Sequence, residues 1–445
     1  MKLKKALVLA MSCAMIFGGT GCGKEPAKDT PVTETNKEQE PAKEEKKEGE
    51  QITLRMAWWG SQARHDATTK VIEMYEAQNP NVKIEAEFYD FDGYFTKLNT
   101  LVAANNVWDI FQLGGNFPTY IDSIVPLDDF ISKGIIDVSN TNDAFLATTQ
   151  SDGKQIGISN GVNCYGIAYD PAMFDEAGVP QPTENWTWDD FKQAALTIHE
   201  KLGIYGSSKI DDFIAGCSMG ISQEDYSLNF FATSNDKLGF NEPKMLVDYF
   251  QMKKDLVEAG AYPDPGAIAE IKDIEGDYLV TGEAAMTWVA SNQMPTIAAA
   301  AGREIKLATI PRKKADGPSG STIQSSQMLC VSQNSQHQEE AAKFISYFES
   351  DIEANKVLNG ERGVSIMSNV RDMLKEQADD SKKEMYNFVD LIGTFKTGEI
   401  NVISPQQKTE IEDQYKLLMD QVIYGEKTPE EAAQEIYTFA EGAFK

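Results

Sequence analysis

The stretch Ile52–His65, ITLRMAWWGSQARH, decides how the chain is read. Apolar residues recur at Ile52, Leu54, Met56 and Trp58, the period of two that marks a strand. Gly60 breaks it. A helical pattern starts near Arg64, carries Val71, Ile72 and Tyr75 on one face, and stops at Asn79-Pro80. Val82, Ile84, Ala86 and Phe88 alternate again as a second strand. Strand, helix, strand at this spacing is a βαβ unit with a right-handed crossover. In open parallel sheets the ligand sits beyond the carboxyl ends of the strands. Trp58, Trp59, Arg64 and His65 therefore stand at the lip of a cleft. Adjacent strand residues point to opposite faces, so one of the two indoles is expected in the core and the other in the cleft, with Trp59 favoured for the cleft.

Upstream, Lys2, Lys4 and Lys5 precede the apolar run Ala6–Phe17 and the small residues Gly18–Gly21. This reads as a secretory signal, residues 1–21, too short to span a membrane. Gly19-Thr20-Gly21-Cys22 resembles the bacterial lipobox, although Gly19 departs from its usual Leu. That resemblance implies lipidation at Cys22. Residues 22–50 are Glu, Lys, Pro, Thr and Gln with almost nothing apolar, and bury too little to fold. They read as a disordered tether.

An apolar content of 41% is enough for sizeable cores over the remaining length, which suggests roughly two or three domains. The net charge of −28 argues against nucleic acid and against adsorption to anionic lipid. Cys164, Cys217 and Cys330 are odd in number and widely spaced, with no CxxC. Three small buried hydrophobes are the favoured reading; a Cys164–Cys330 bridge stays open.

Further along, Asp90–Gly93 reads as a turn before a helix face of Tyr94, Leu98, Leu101 and Val102. Trp108–Leu113 reads as a third strand ending in Gly114-Gly115-Asn116. Gln155–Tyr169 alternates but is long for one strand, as a segment running from one lobe into another would be. Thr187 to Asp190 and Thr428 to Glu431 are capping boxes. The last ninety or so residues read as helices only.

Four segments then give a resemblance: the leader followed by MAWWG…RH and EMYEAQNPNVKIE; VWDIFQLGG; SDGKQIGISNGVNCYGIAYDPAMFDEAGVPQPTENWTWDDF; and YLVTGEAAMTWVAS with IPRK. In order, over nearly the whole mature chain, they resemble the family 1 extracellular solute-binding proteins, the sugar-binding lipoproteins of ABC importers. Ser159, Asp170-Pro171 and Gly363-Val364-Ser365 depart from the family's usual loop residues. The resemblance implies an α/β, two-lobe, type II periplasmic-binding-protein-like fold, each lobe a mostly parallel sheet flanked by helices, with a helical C-terminal segment. Lobe 1 would be 51–162 with 311–348, and lobe 2 would be 163–310 with 349–445. It further implies hinge closure on a carbohydrate, delivery to an ABC permease, a monomer, no cofactor, and anchoring on the outer face of the cytoplasmic membrane, as at a Gram-positive surface.

A sugar site needs aromatic planes and planar polar groups. Trp59 supplies a plane. Arg64 and His65 open a helix, where a cation opposes the dipole, and that mismatch favours binding, with an anionic sugar as one candidate. Gln112 and Asn116 follow the third strand. Asn163 and Tyr165 lie two apart on the presumed crossing. Trp288 and Asn292 follow Ala284-Ala285-Met286, where the family often places a stacking aromatic. Arg362 sits in a Gly-flanked turn of a kind that lines the cleft in relatives.

Two enzymatic readings compete. Gly216-Cys217-Ser218-Met219-Gly220 matches the esterase elbow G-x-S-x-G, but a poor strand precedes it and only His337 follows. With 69 Asp and Glu, a carboxylate pair for glycoside hydrolysis arises by chance. No HExxH or Walker A appears, and Phe88 and Asn99 fall where a calcium loop on Asp90 and Asp92 needs carboxylates. A binding protein for a non-sugar solute is the nearer alternative.

Overall fold

The computed structural model describes residues 51–222, 229–232, 234–395 and 405–445. Cys22, the signal and the tether lie outside them. Strand β1 (Ile52–Trp59) sends Leu54, Met56 and Trp58 into one buried cluster, while Ala57 and Trp59 join another. Ser61 caps the helix Gln62–Gln78 by accepting from the Arg64 N–H, and Asn79 ends it. Strand β2 (Val82–Tyr89) pairs with β1 in parallel from Ile52–Val82 to Trp59–Tyr89, as the opening stretch predicts. Asp90–Gly93 is not a free turn. Asp90 is an N-cap that accepts from the Gly93 N–H, so the helix Phe91–Ala103 starts at once.

Strand β3 (Ile110–Leu113) pairs in parallel with β1. Two-residue strands β4 (Gln150–Ser151) and β5 (Lys154–Gln155) form a separate hairpin. Strand β6 (Ile158–Tyr169) is the long element foreseen in the sequence. Strands β7 (Met286–Ala290), β8 (Lys306–Ala308) and β9 (Ile323–Val331) complete a seven-stranded sheet, ordered β2-β1-β3-β9-β6-β7 with β8 also on β6. Up to Cys164, β6 pairs with β9; from Tyr165 it pairs with β7.

A mostly parallel sheet is the expectation. It holds for β1, β2 and β3, whereas β9, β6, β7 and β8 pair antiparallel. The reason is directional: β6 runs outward and β9 returns between β3 and β6, so it opposes both. A parallel ladder reappears beside β7, where Tyr205 N–H reaches Glu283 O and Trp288 N–H reaches Lys209 O.

Phe191, Tyr249, Ile411 and Ile436 pack in one cluster, and Leu54, Ile72, Leu329 and Phe348 in another. The helices after Phe348 divide between them: Ala354, Val370 and Phe388 join Ile72, while Tyr415, Leu418 and Ala440 join Phe191. The cluster that holds Ile72 also takes in Val289, Met294 and Ile297 from 163–310, so it runs through both proposed lobes. Cys164, Cys217 and Cys330 are buried and free, and burial raises each thiol, so the Cys164–Cys330 bridge is not formed.

Candidate ligand-binding cleft

Register locates the site. Ala57 pairs with Phe111 and Leu113 with Met328, so Trp59 stands level with Ser159 on β6. From Ser159 to Tyr165 β6 advances about 20 Å. There it meets Ala290, the last residue of β7, which runs the opposite way. The ladder partner of β7 ends at Lys209, two residues before Asp211. The carboxyl ends of β1 and β3 thus face those of β7 and its neighbour across the middle of β6.

On the first wall Trp59 is half-buried, with Tyr94 and Phe95 at 5.2 Å between ring centroids and Phe91 at 5.6 Å. Gly114 leaves the ring uncovered, since a Cβ there would stand 3.8 Å from the indole edge. Asn116 is exposed just before the 3-10 helix Phe117–Ser123. Gln112 is fully buried; its Nε2 donates to Trp59 O at 3.3 Å and its Oε1 has no partner.

Arg64 folds back over the end of β1. Its Nε donates to Glu361 Oε2 at 2.6 Å, and its Nη1 to Gln327 Oε1 at 2.9 Å and Trp59 O at 3.2 Å. Gly60 permits this, because a Cβ there would lie 2.3 Å from Arg64 Cδ. The cation that disfavours a helix start is therefore held by an ion pair.

Two nominated residues turn away from the lip. His65 faces the core: its Nδ1 accepts from Trp58 Nε1 at 3.1 Å, it stacks on Phe88 at 4.4 Å, and burial lowers its pKa. His65, Thr68, Ile72 and Tyr75 share the buried face of one helix, a spacing legible in the sequence. Arg362 is only 6% exposed. Its Nη2 donates to Thr68 Oγ1 at 2.7 Å, and Nε and Nη1 have no partner. Nearby, Asn160 donates to buried Glu349 at 2.6 Å. Burial pushes the Glu349 carboxyl up to about 8, and pulls Arg362 down to about 9. The contribution of Arg362 to the cleft region is its carbonyl, which accepts from Ser326 Oγ and from Gln327 Nε2 at 2.8 Å.

On the second wall Tyr165 stacks on Trp288 at 5.9 Å. Trp288 is 7% exposed and its Nε1 has no partner; Asn163, half-buried between the walls, has an unpartnered Oδ1. Asn292 is exposed just beyond β7. Burial, then Asp211 and Glu412, raise the Tyr165 phenol. Sequence reading missed Gln327, Glu361 and Asp211. None of them carried a clear signal, Gln327 lying at the end of the polar run Gln324-Ser325-Ser326 in β9.

Ser218 ends the helix Asp212–Cys217 rather than a strand, which removes the geometry an esterase elbow needs. A groove of about 430 Å³ lined by Phe174, Val179, Pro182 and Trp186 contains none of the nominated residues. The two facing strand ends carry ring faces at Trp59 and Tyr165 and amide groups at Gln112 and Asn163.

The family model described as bacterial extracellular solute-binding protein matches residues 59–354. The chain belongs to this family. A putative ABC transporter periplasmic-binding protein of Escherichia coli, YcjN, is 23% identical over 301 residues, covering 65% of this chain and 66% of its own. A family 1 extracellular solute-binding protein from Alicyclobacillus acidocaldarius superposes with a TM-score of 0.78 at 24% identity, covering 89% of this chain and 99% of its own. A periplasmic oligogalacturonide binding protein from Yersinia enterocolitica gives 0.75 at 22%, covering 88% and 99%. The mixed sheet with flanking helices in this solute-binding protein is thus the family's fold.

Proposed function

We propose that this solute-binding protein captures an oligosaccharide outside the cytoplasmic membrane by hinge closure and delivers it, unaltered, to an ABC permease, held nearby by a lipid on Cys22. One observation carries the reading: Trp59 ends a strand of one half, and the Tyr165–Trp288 stack stands about 20 Å further along β6 in the other. Two aromatic platforms so spaced suit a chain of sugar rings, whose CH faces stack on indole and phenol. The unpartnered Gln112 Oε1, Asn163 Oδ1 and Trp288 Nε1 are groups that sugar hydroxyls satisfy. The oligosaccharide named for the Yersinia relative accords with this.

Calorimetry over malto-, cello-, xylo- and manno-oligosaccharides tests it. At least one should bind, and Trp59→Ala should weaken that binding by about 1 kcal/mol or more, measured well below the melting temperature of the variant, which also loses the packing of the indole on Tyr94 and Phe95. Binding to amino acids, peptides or polyamines, with no sugar bound, would instead establish a non-sugar solute.

A further inference from the structure

Asp211 lies two residues beyond Lys209, the last residue hydrogen-bonded alongside β7, towards the end where Tyr165 pairs with Ala290. It is exposed, and desolvation by the surrounding protein raises its carboxyl. Its Oδ1 accepts from the Ile214 N–H at 2.8 Å and caps the helix Asp212–Cys217, and no ion pair holds it among the described residues. Every nearby described cation is engaged. Lys408 pairs with Glu412 at 3.5 Å, Lys253 with Asp212 at 2.5 Å, and Lys209 with Asp277 at 3.1 Å. Across the cleft Arg64 is bound to Glu361, Arg362 is buried, and His65 faces inward.

A carboxylate entering a closing cleft sheds water, and the loss is offset only by a cation free to meet it. Among the described residues the cations at the two walls are paired or, like Arg362, buried, while Asp211 at the aromatic wall has no ion pair. Buried, unpartnered Gln112 Oε1 and Trp288 Nε1 show independently that the lining has neutral hydrogen bonds to give.

We infer that the captured oligosaccharide is uncharged, and that Asp211 selects against acidic sugars by accepting hydroxyl hydrogen bonds beside Tyr165 and Trp288. This rests on the carbohydrate reading above and narrows it. It reverses the anionic sugar that Arg64 and His65 suggest in sequence alone.

The test titrates the purified protein, at low salt, with the best-binding neutral oligosaccharide and with its counterpart oxidised to carboxylate at C6, alongside oligogalacturonate and its methyl ester. The acidic member of each pair should bind about tenfold more weakly or worse, and salt should narrow the gap. Asp211→Asn keeps the helix cap and should reduce the discrimination to about threefold or less, with an unchanged melting temperature. Equal or tighter binding of the acidic member overturns the charge inference. Undiminished discrimination in Asp211→Asn overturns the role of that residue. If no sugar binds, the carbohydrate reading itself falls and takes this inference with it.

Discussion

Glu349 lies in the last turn of the helix Gln338–Ser350, 3% exposed, with Asn160 as its hydrogen-bond donor. Burial raises its carboxyl to about 8, against the opposing pull of the Arg362 charge. The folded chain therefore keeps a proton that the unfolded chain releases near the ordinary glutamate value. The stability this group contributes is present in acid and is lost as pH rises towards about 8, by at most about 1.4 kcal/mol per pH unit. Arg362, pulled down to about 9, remains protonated over that window. Glu349→Gln should flatten the dependence of the urea midpoint on pH between about 5 and 8 and raise the midpoint at the alkaline end. An unaltered slope would place the proton elsewhere. Single residues were legible where one physical rule decided them. Alternation separated buried Trp58 from half-buried Trp59. His65 and Arg362 were misplaced because position along an element does not say which way a long side chain turns: Arg362 reaches Thr68, 294 residues earlier in sequence.

At the scale of elements, the long strand β6 changes partners at Cys164–Tyr165 and is irregular at Ser159, Gly161 and Val162. Val162 exchanges backbone hydrogen bonds with Val364, at 2.8 and 3.2 Å, so a third segment crosses at the same place. Gly161 makes room for it. A Cβ there would stand 2.7 Å from Arg362 O and 2.8 Å from Gly363 Cα, both backbone atoms that cannot swing aside. Gly161→Ala should cost about 1–3 kcal/mol of stability, seen as a lowered melting temperature. Gly115→Ala, with nothing within 4 Å of its added carbon, should change stability by about 0.5 kcal/mol or less. Comparable losses in both would show that crowding at the crossing is not the cause. Caps were the most readable features, since Thr187 and Thr428 each close a capping box through local bonds. The crossing itself was foreshadowed by the length of β6 and its glycines, whereas the Val162–Val364 bridge joins residues too far apart for any local pattern to show.

For the whole molecule, order and parallel pairing of the first βαβ unit followed from the sequence, but the antiparallel return of β9 did not: periodicity marks a strand without giving its direction. That return bears on closure. The two walls are joined through β6, β9 and the Val364 segment, and the proposed closure would have to bend these backbone links. A ligand shifts such an equilibrium only by the contacts it makes better in one state than in the other. Gln112 Oε1 on one wall, Trp288 Nε1 on the other and Asn163 Oδ1 between them have no partner in this structure. An unmade buried hydrogen bond costs about 1–3 kcal/mol, so a glycan that satisfies groups on both walls at once gains most when they approach each other. Small-angle scattering with a saturating neutral oligosaccharide should therefore give a smaller radius of gyration than without it. Trp59→Ala, saturated with the same sugar at higher concentration, should reach the same compact state, because the substitution weakens the grip without altering the links that bend. Superimposable curves for wild type with and without sugar would leave binding without closure, and would remove the hinge from the account.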